Sequence, residues 1–488
     1  MFLGIDVGTS SLKAVLSDAH GKIIATESVT YGISLPKEGW VEQNPNDWYQ
    51  AEVIAIKQLG KKFDLSKIIG VSFCGQMHGL VLLDKNDRII RPAILWNDNR
   101  TIDECKWLNE KIGKTKLVKY TGNIAFTGFT APKILWVRNH EYQLFKKIHK
   151  IMLPKDYTAY KMSGIFASDY SDSSGTLYLD VQHKKWSNPM LNILNIKETQ
   201  LPKLFDSYQV IGNVSSTFAK LTGMSTKTKV IIGGGDQAVG AVGTGTVDNN
   251  QLSISLGTSG VVFAASQNFK LIPSGVMHSF CHANGRYHIM GVMLSAAGAF
   301  DWWVKNILKT NDYDTINKEI KNHTADNLYF LPYLTGERSP INNPYARGEF
   351  HKLSLNHVRG DMSRAVLEGI NFGLLDCLNS ISALKIKPKI ACVIGGGAKS
   401  DIWLQMLADI LNIKVSKINT AEGGALGAII LAMVGTNQYD NVSTACKHII
   451  HDTKTFIPNV KKHKHYLNKF KNWKEMRNKL YPPSKSTD

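Results

Sequence analysis

Residues 3–18 read LGIDVGTSSLKAVLSD. An apolar run carrying one acid, Asp6, breaks into Gly8-Thr9-Ser10-Ser11 and then resumes, so the stretch reads as a β-hairpin with strands over 2–6 and 12–17. A glycine-rich turn can aim several backbone N–H groups at one point, and the Thr and Ser hydroxyls add donors; together they make a concavity for an anion such as phosphate. Lys13, two residues past the turn, adds positive charge. A carboxylate beside a triphosphate is repulsive unless a cation lies between them. Mg²⁺, held by one or two carboxylates, waters and phosphate oxygens, is the usual solution. The alternative is an ordinary hairpin turn with Asp6 accepting a neighbouring N–H.

The phrase returns without the acid at 253–266, SISLGTSGVVFAAS. Each hairpin opens a half of the chain, and each half closes on a glycine cluster, at 233–235 and 395–397. A chain of 488 residues exceeds what one core holds, roughly 250–300 residues. Further strands are predicted at 23–30, 68–73, 230–233 and 389–394, and a helix over 46–59 behind Asn44-Pro45. The expectation is an α/β protein of two similar domains with mixed sheets, spanning 1–248 and 249–445, facing each other across a cleft. A basic segment over 446–488 follows, with Tyr466, Phe470, Trp473 and Leu480 at helical spacing; it reads as an amphipathic helix docked on the body.

Hydrophobic content of 43% and charged content of 20% are ordinary for a globular protein. The net charge of +18 suits anionic partners, but no arginine-rich patch with interleaved aromatics marks a nucleic-acid binder. The most apolar stretch, 426–434, is too short for a membrane span, which needs about 20 residues. Six cysteines without a C-x-x-C pair, and no signal-peptide pattern, lead to the expectation of a reduced, soluble, cytoplasmic protein. Gly113-Lys114-Thr115 lacks the upstream glycine of a phosphate-binding P-loop, and His278 to His282 lacks a companion cluster for zinc.

Three further segments carry chemistry. IIGGGDQAVGAVGTG, 231–245, sets Asp236 at the carboxyl end of a strand, where open α/β sheets hold ligands. There it can act as general base toward a substrate hydroxyl or cap the helix that follows. SFCGQMHGLVLLD, 72–84, puts Gln76, Met77 and His78 at a strand end, in reach of a polyol. VIGGGAKSDIWLQMLADI, 393–410, offers glycines against which a flat ring can lie, but its spacing ends at Ser400 and fails the dinucleotide fingerprint.

This combination resembles the FGGY carbohydrate kinases, from Asp6-Val7-Gly8-Thr9-Ser10 through the signature-like 128–140 and 347–369 to Gly423-Gly424-Ala425-Leu426-Gly427. One departure is Lys352, where the family usually has glycine. The resemblance implies two actin-like, ribonuclease H-like ATPase domains around a nucleotide cleft. It further implies Asp236 as proton acceptor and Asp6 as the Mg²⁺-linked acid. Thr9, Ser10, Ser11 and Lys13 match the first phosphate loop, Gly257 and Thr258 the second, and Gly396 and Gly397 the adenine side. CGQMHG, RPAILWNDNRT, LPKDY, SDSSGT, HSFCHA and YLTGERSP are similar to the branch acting on D-xylulose. That implies contacts to the sugar from Met77, His78, Asp236 and Gln237, with ATP and Mg²⁺ as cosubstrate and cofactor. A homodimer is left open. The competing readings are a kinase for ribulose, gluconate or glycerol, an actin- or chaperone-like ATPase, and, on charge alone, a nucleic-acid binder.

Overall fold

The computed structural model describes residues 1–272, 275–419 and 423–482. The last residues of the basic segment expected over 446–488 lie outside the described ones. The opening stretch forms β1 (Phe2–Val7) and β2 (Ser11–Ser17), joined to β3 (Ile23–Thr30), β4 (Gly70–Gly75), β5 (Val210–Asn213), β6 (Lys229–Ile231) and β7 (Gly234–Gly235). The sheet order is β5-β6-β4-β1-β2-β3, with β7 also beside β4. β1 pairs antiparallel with β2, setting Asp6 opposite Lys13, and parallel with β4. The second sheet contains β8 (Gln251–Leu256), β9 (Gly260–Ser266), β10 (His278–Cys281), β11 (Tyr287–Met293), β12 (Ile390–Ile394), β13 (Lys414–Ile418) and β14 (Asp452–Phe456), ordered β10-β11-β9-β8-β12-β13-β14. There β8 pairs antiparallel with β9 and parallel with β12, the plan of β1, β2 and β4 repeated.

Two strands differ from expectation. The one expected at 68–73 begins at Gly70, because Asp64 caps a short 3₁₀ turn over Leu65–Lys67 that runs into Ile68. The one expected at 230–233 stops at Ile231: Gly233 has φ +71°, and a Cβ there would strike the Phe73 backbone.

Five helices position the site: α1 (Pro45–Gly60), α2 (Asp236–Gly243), α3 (Arg359–Ser382), α4 (Gly423–Gly435) and α5 (Val460–Leu480). Asn44 caps α1, its side chain accepting from the Asn46 N–H at 3.1 Å, and α1 buries Trp48, Ile56 and Leu59. The apolar stretch 426–434 is the body of α4. It is buried all round because it packs on β1, β4 and α2, so a helix that follows the second sheet's strands covers the first sheet. Among the described residues no helix is long and apolar enough to cross a membrane.

Helix α5 docks through Tyr466, Phe470, Trp473 and Met476, with the Trp473 indole N–H donating to Phe330 O at 2.9 Å. Leu480, expected on this apolar face, is exposed; Met476, one turn earlier, takes the inward position. Buried ion pairs from Lys469 to Glu368 and from Arg477 to Asp376 tie α5 to α3. The basic segment is not helical throughout, since Asp452–Phe456 closes the edge of the second sheet as β14.

Lys352 follows the strand Glu349–His351 at φ +63°, a left-handed conformation that costs an L-residue roughly 1–2 kcal/mol and explains why glycine suits this turn. The turn survives, with Lys352 Nζ 5.8 Å from the centroid of the Tyr329 ring. Lys352→Gly is therefore expected to raise stability by up to about 1 kcal/mol in a denaturant titration, strain relief being partly offset by the freer unfolded glycine.

Candidate active site

Both Gly-Thr-Ser turns present N–H groups by the same device, which is to occupy their carbonyls. In the first, Gly8 O accepts from the Tyr31 hydroxyl and from Gln76 Nε2, Thr9 O from Gln43 Nε2 at 2.7 Å, and Ser10 O from Tyr31 N. In the second, Gly257 O accepts from Ala297 N at 2.9 Å, and Thr258 O from the N–H groups of Ala296 and Gly298. Among the described residues no acceptor takes the N–H groups of Thr9, Ser10 or Thr258. Two donor turns whose oxygens are already committed are suited to an anion. Gln76, expected beside a polyol, instead braces the first turn, bonding Gly8 O, Thr9 Oγ1 and Gln43 Oε1. Trp96, not singled out from the sequence, is 42% exposed, and its indole N–H donates to Thr9 Oγ1 at 3.0 Å.

Asp6, Asp236, Gln237, Cys74 and Gly424 line one cavity of about 180 Å³, whose opposite wall is Ser253, Ser255 and Ile394 of the second sheet. The two halves thus meet over both acids. Asp236 is the first residue of α2; Gly235 is the cap, and no side chain caps this helix, so the capping role weighed from the sequence is not the one taken. Burial pushes the Asp236 carboxyl up to about 7, the charge of Asp6 adds to the rise, and hydrogen bonds from Gln237 oppose it. Ionising Asp236 therefore costs the fold free energy. A raised carboxylate contributes its stability at low pH and loses it as pH rises toward its folded value. Asp236→Asn is accordingly expected to melt above the wild type at pH 8, with the gap closing as pH falls below about 7 toward the ordinary carboxylate range.

Met77 is buried and wedged between glycines: a Cβ on Gly235 would lie 2.9 Å from Met77 Cγ, and one on Gly175 3.1 Å from its Cε. It shapes the wall next to Asp236. His78 is held at φ +70°, its Nδ1 2.8 Å from Gly175 O. That carbonyl can only accept, so Nδ1 carries the proton. Burial and the charge of Lys133 keep the ring neutral, and Nε2 is left as an acceptor. Around it stand Phe129, at 4.9 Å between centroids, Phe126, Phe280 and His278. His278 belongs to this aromatic wall. Among the described residues no group of three or more His, Cys, Asp or Glu could hold a metal by itself.

A larger cavity, about 630 Å³, continues along the same strands, from Ser255 of β8 to Leu256, Gly257 and Thr258, and from Ile394 of β12 to Gly396 and Gly397. A Cβ on Gly396 would meet nothing within 4 Å, so this glycine borders open space. Trp403 and Phe300 give the cavity an aromatic wall, and Asn317, Asp314 and Ser400 line it with polar groups. These last residues were not singled out beforehand, because they come from segments separated by up to about a hundred positions.

Two like domains, paired donor turns and a cleft joining an acid cavity to a flat-walled one define a nucleotide-dependent phosphotransferase of the actin-like, ribonuclease H-like class. Residues 1–243 match the N-terminal domain and residues 252–436 the C-terminal domain of the FGGY family of carbohydrate kinases, and the chain belongs to that family. It is 44% identical over 440 residues to a xylulose kinase of Escherichia coli (strain K12), covering 90% of each chain. Among solved structures, it is similar to a ligand-bound xylulose kinase from Lactobacillus acidophilus (29% identity, TM-score 0.94, 98% of each chain). It is similar also to a gluconate kinase from the same organism (28% identity, TM-score 0.95, 98% of each chain).

Proposed function

We infer that this carbohydrate kinase transfers the γ-phosphoryl group of ATP to the 5-hydroxyl of D-xylulose, giving D-xylulose 5-phosphate and ADP. The observation that carries the reading is the cavity shared by the two halves, in which Asp236, next to the Gly235 that packs on Met77, lies with Asp6 against Ser255 and Ile394, on the strands that run on to the second donor turn and the larger cavity. The sugar lies against Met77, His78 and Gln237 with its terminal hydroxyl at Asp236. ATP lies across both turns, its adenine toward Gly396, Gly397 and Trp403. Asp236 takes the hydroxyl proton as the oxygen attacks; a base with a pKa near 7 suits that task at neutral pH. Thr9, Ser10, Ser11 and Thr258 grip phosphate oxygens, and Lys13 adds charge from across the hairpin. Asp6 fits Mg²⁺ held through water, because one acid in a carboxylate-rich cavity without an all-protein cage matches a hard cation that keeps its waters. Bound there, Mg²⁺ supplies charge neutralisation at the phosphates. Six buried free cysteines support a reduced, cytoplasmic setting.

The gluconate kinase neighbour supports a second reading, a sugar acid in the same place. Product analysis separates the two and fixes the position. After reaction with Mg-ATP and D-xylulose, carbon-13 NMR is expected to show phosphorus coupling at C5 and C4 with an uncoupled ketone. Coupling at the ketone would place the phosphate on C1 or C3 and overturn the assignment, and turnover with gluconate alone would favour the second reading.

A further inference from the structure

The wall around His78 takes Phe126 and Phe129 from the first half and His278 and Phe280 from the second, and a charged group of the second half also reaches it. Arg338 sits in the turn following Gly336, and its guanidinium lies over Phe126, 5.7 Å from the ring centroid. Phe126 packs on Phe129 at 5.4 Å and on His278 at 5.2 Å, and Phe129 packs on His78 at 4.9 Å. The positive charge of Arg338 is among the causes that hold both His78 and His278 neutral, so it is felt across this wall. The turn that carries Arg338 is fixed. Glu337 Oε1 accepts from the N–H groups of Leu294 and Arg338 at 2.9 and 2.8 Å, Ser339 N donates to Val292 O, and Ser339 Oγ donates to Val276 O.

The guanidinium itself makes no hydrogen bond and no ion pair of its own among the described residues. Its one acidic neighbour, Glu337, spends its bonds on backbone, and burial pushes that carboxyl up to about 8. Nor does Arg338 line the nucleotide cavity. A half-buried cation facing neutral imidazoles and phenyl rings lacks an acceptor, and a guanidinium offers five donors in a planar fork. On the reading above the reacting hydroxyl is spent on Asp236 while the sugar lies against His78, which leaves the acceptors at its other end for this cation.

We propose that Arg338 is a specificity-determining residue that reads the carbonyl end of the ketose from across the cleft, donating to the C2 carbonyl oxygen and the neighbouring hydroxyl. Because the wall and its cation are built from both halves, the contact couples recognition at one end of the sugar to alignment of the halves at the other. The inference rests on the reading of the site as a D-xylulose kinase.

The test compares D-xylulose with xylitol, which keeps the terminal hydroxyl but has no carbonyl. Wild-type enzyme must first turn over D-xylulose; if it does not, the functional reading fails, whatever Arg338 does. Given that turnover, Arg338→Met is expected to lose kcat/KM for D-xylulose by about 10- to 100-fold, the value of a charge-assisted hydrogen bond, and to lose distinctly less with xylitol, at unchanged KM for ATP. Arg338→Lys, which keeps the charge but not the fork, is expected to recover part of the ketose preference. A ketose-to-polyol ratio equal to the wild type's in Arg338→Met overturns the proposal. Equal losses on both substrates would mark Arg338 as a structural support of its turn, and no loss on either would mark it as idle.

Discussion

Asp236→Asn is expected to lower sugar-dependent ADP release by about 10²–10⁴-fold while affinity for ATP is retained, the range that general-base catalysis supplies. The side chain keeps its shape and its place at the start of α2, where Gly235 and not Asp236 is the cap, so the helix has no cap to lose. What disappears is the proposed proton acceptor. The cavity proposed for the nucleotide is lined by Gly257, Thr258, Gly396 and Trp403 and does not include Asp236, so the KM for ATP is the internal control. The same substitution removes an acid that the fold ionises at a cost, so the inactive variant is expected to be the more stable one at pH 8. Loss of activity through misfolding would give the opposite pairing.

Gly427→Val is expected to cost about 3 kcal/mol or more of stability and to abolish activity together with it. Gly427 and Gly243 are the contact points where α4 crosses α2. A Cβ at Gly427 would fall inside van der Waals contact of the Val239 carbonyl, and one at Gly243 would do the same to Gly423. The obstructing atoms are backbone, which cannot swing aside as a side chain end can. Since α4 also covers β1 and β4, displacing it moves Gly424, whose Cβ position lies 3.0 Å from an oxygen of Asp6. Gly240→Ala on the same helix α2 is the contrast: nothing lies within 4 Å of its Cβ position, and alanine favours a helix over glycine by about 1 kcal/mol. Chemical denaturation of the pair is expected to show a loss for the first and no loss for the second.

Much of this arrangement was legible in the sequence because it is local. The two hairpins, the break at each Gly-Thr-Ser turn and the helix behind Asn44-Pro45 are written in strand, turn and cap chemistry within a dozen residues. The candidate residues Asp6, Asp236, Gly257 and Gly396 lie at strand ends for the same reason, and the structure gathers them along two adjoining cavities. Contacts between distant positions were not legible. Gln76 reads as a sugar ligand by its neighbours Met77 and His78, yet its side chain turns under the first donor loop to Gln43 and Gly8. Nothing near Tyr31 or Trp96 announces that each supports the same loop from more than twenty residues away. The apolar stretch 426–434 is uniform on all sides, so no periodicity says that it serves the first sheet. Leu480 and Met476 are one turn apart, and only docking decides which is covered.

The central claim is that sugar and nucleotide meet over Asp236, so that phosphoryl transfer waits for the sugar. ADP release from Mg-ATP by the wild-type protein, with and without D-xylulose, tests it most directly. The expected result is a slow leak without sugar and a large stimulation by D-xylulose that L-ribulose, gluconate and glycerol do not match. Steady hydrolysis at the same rate with and without every sugar would contradict it, and would leave a cleft ATPase whose Met77 and His78 wall serves no sugar.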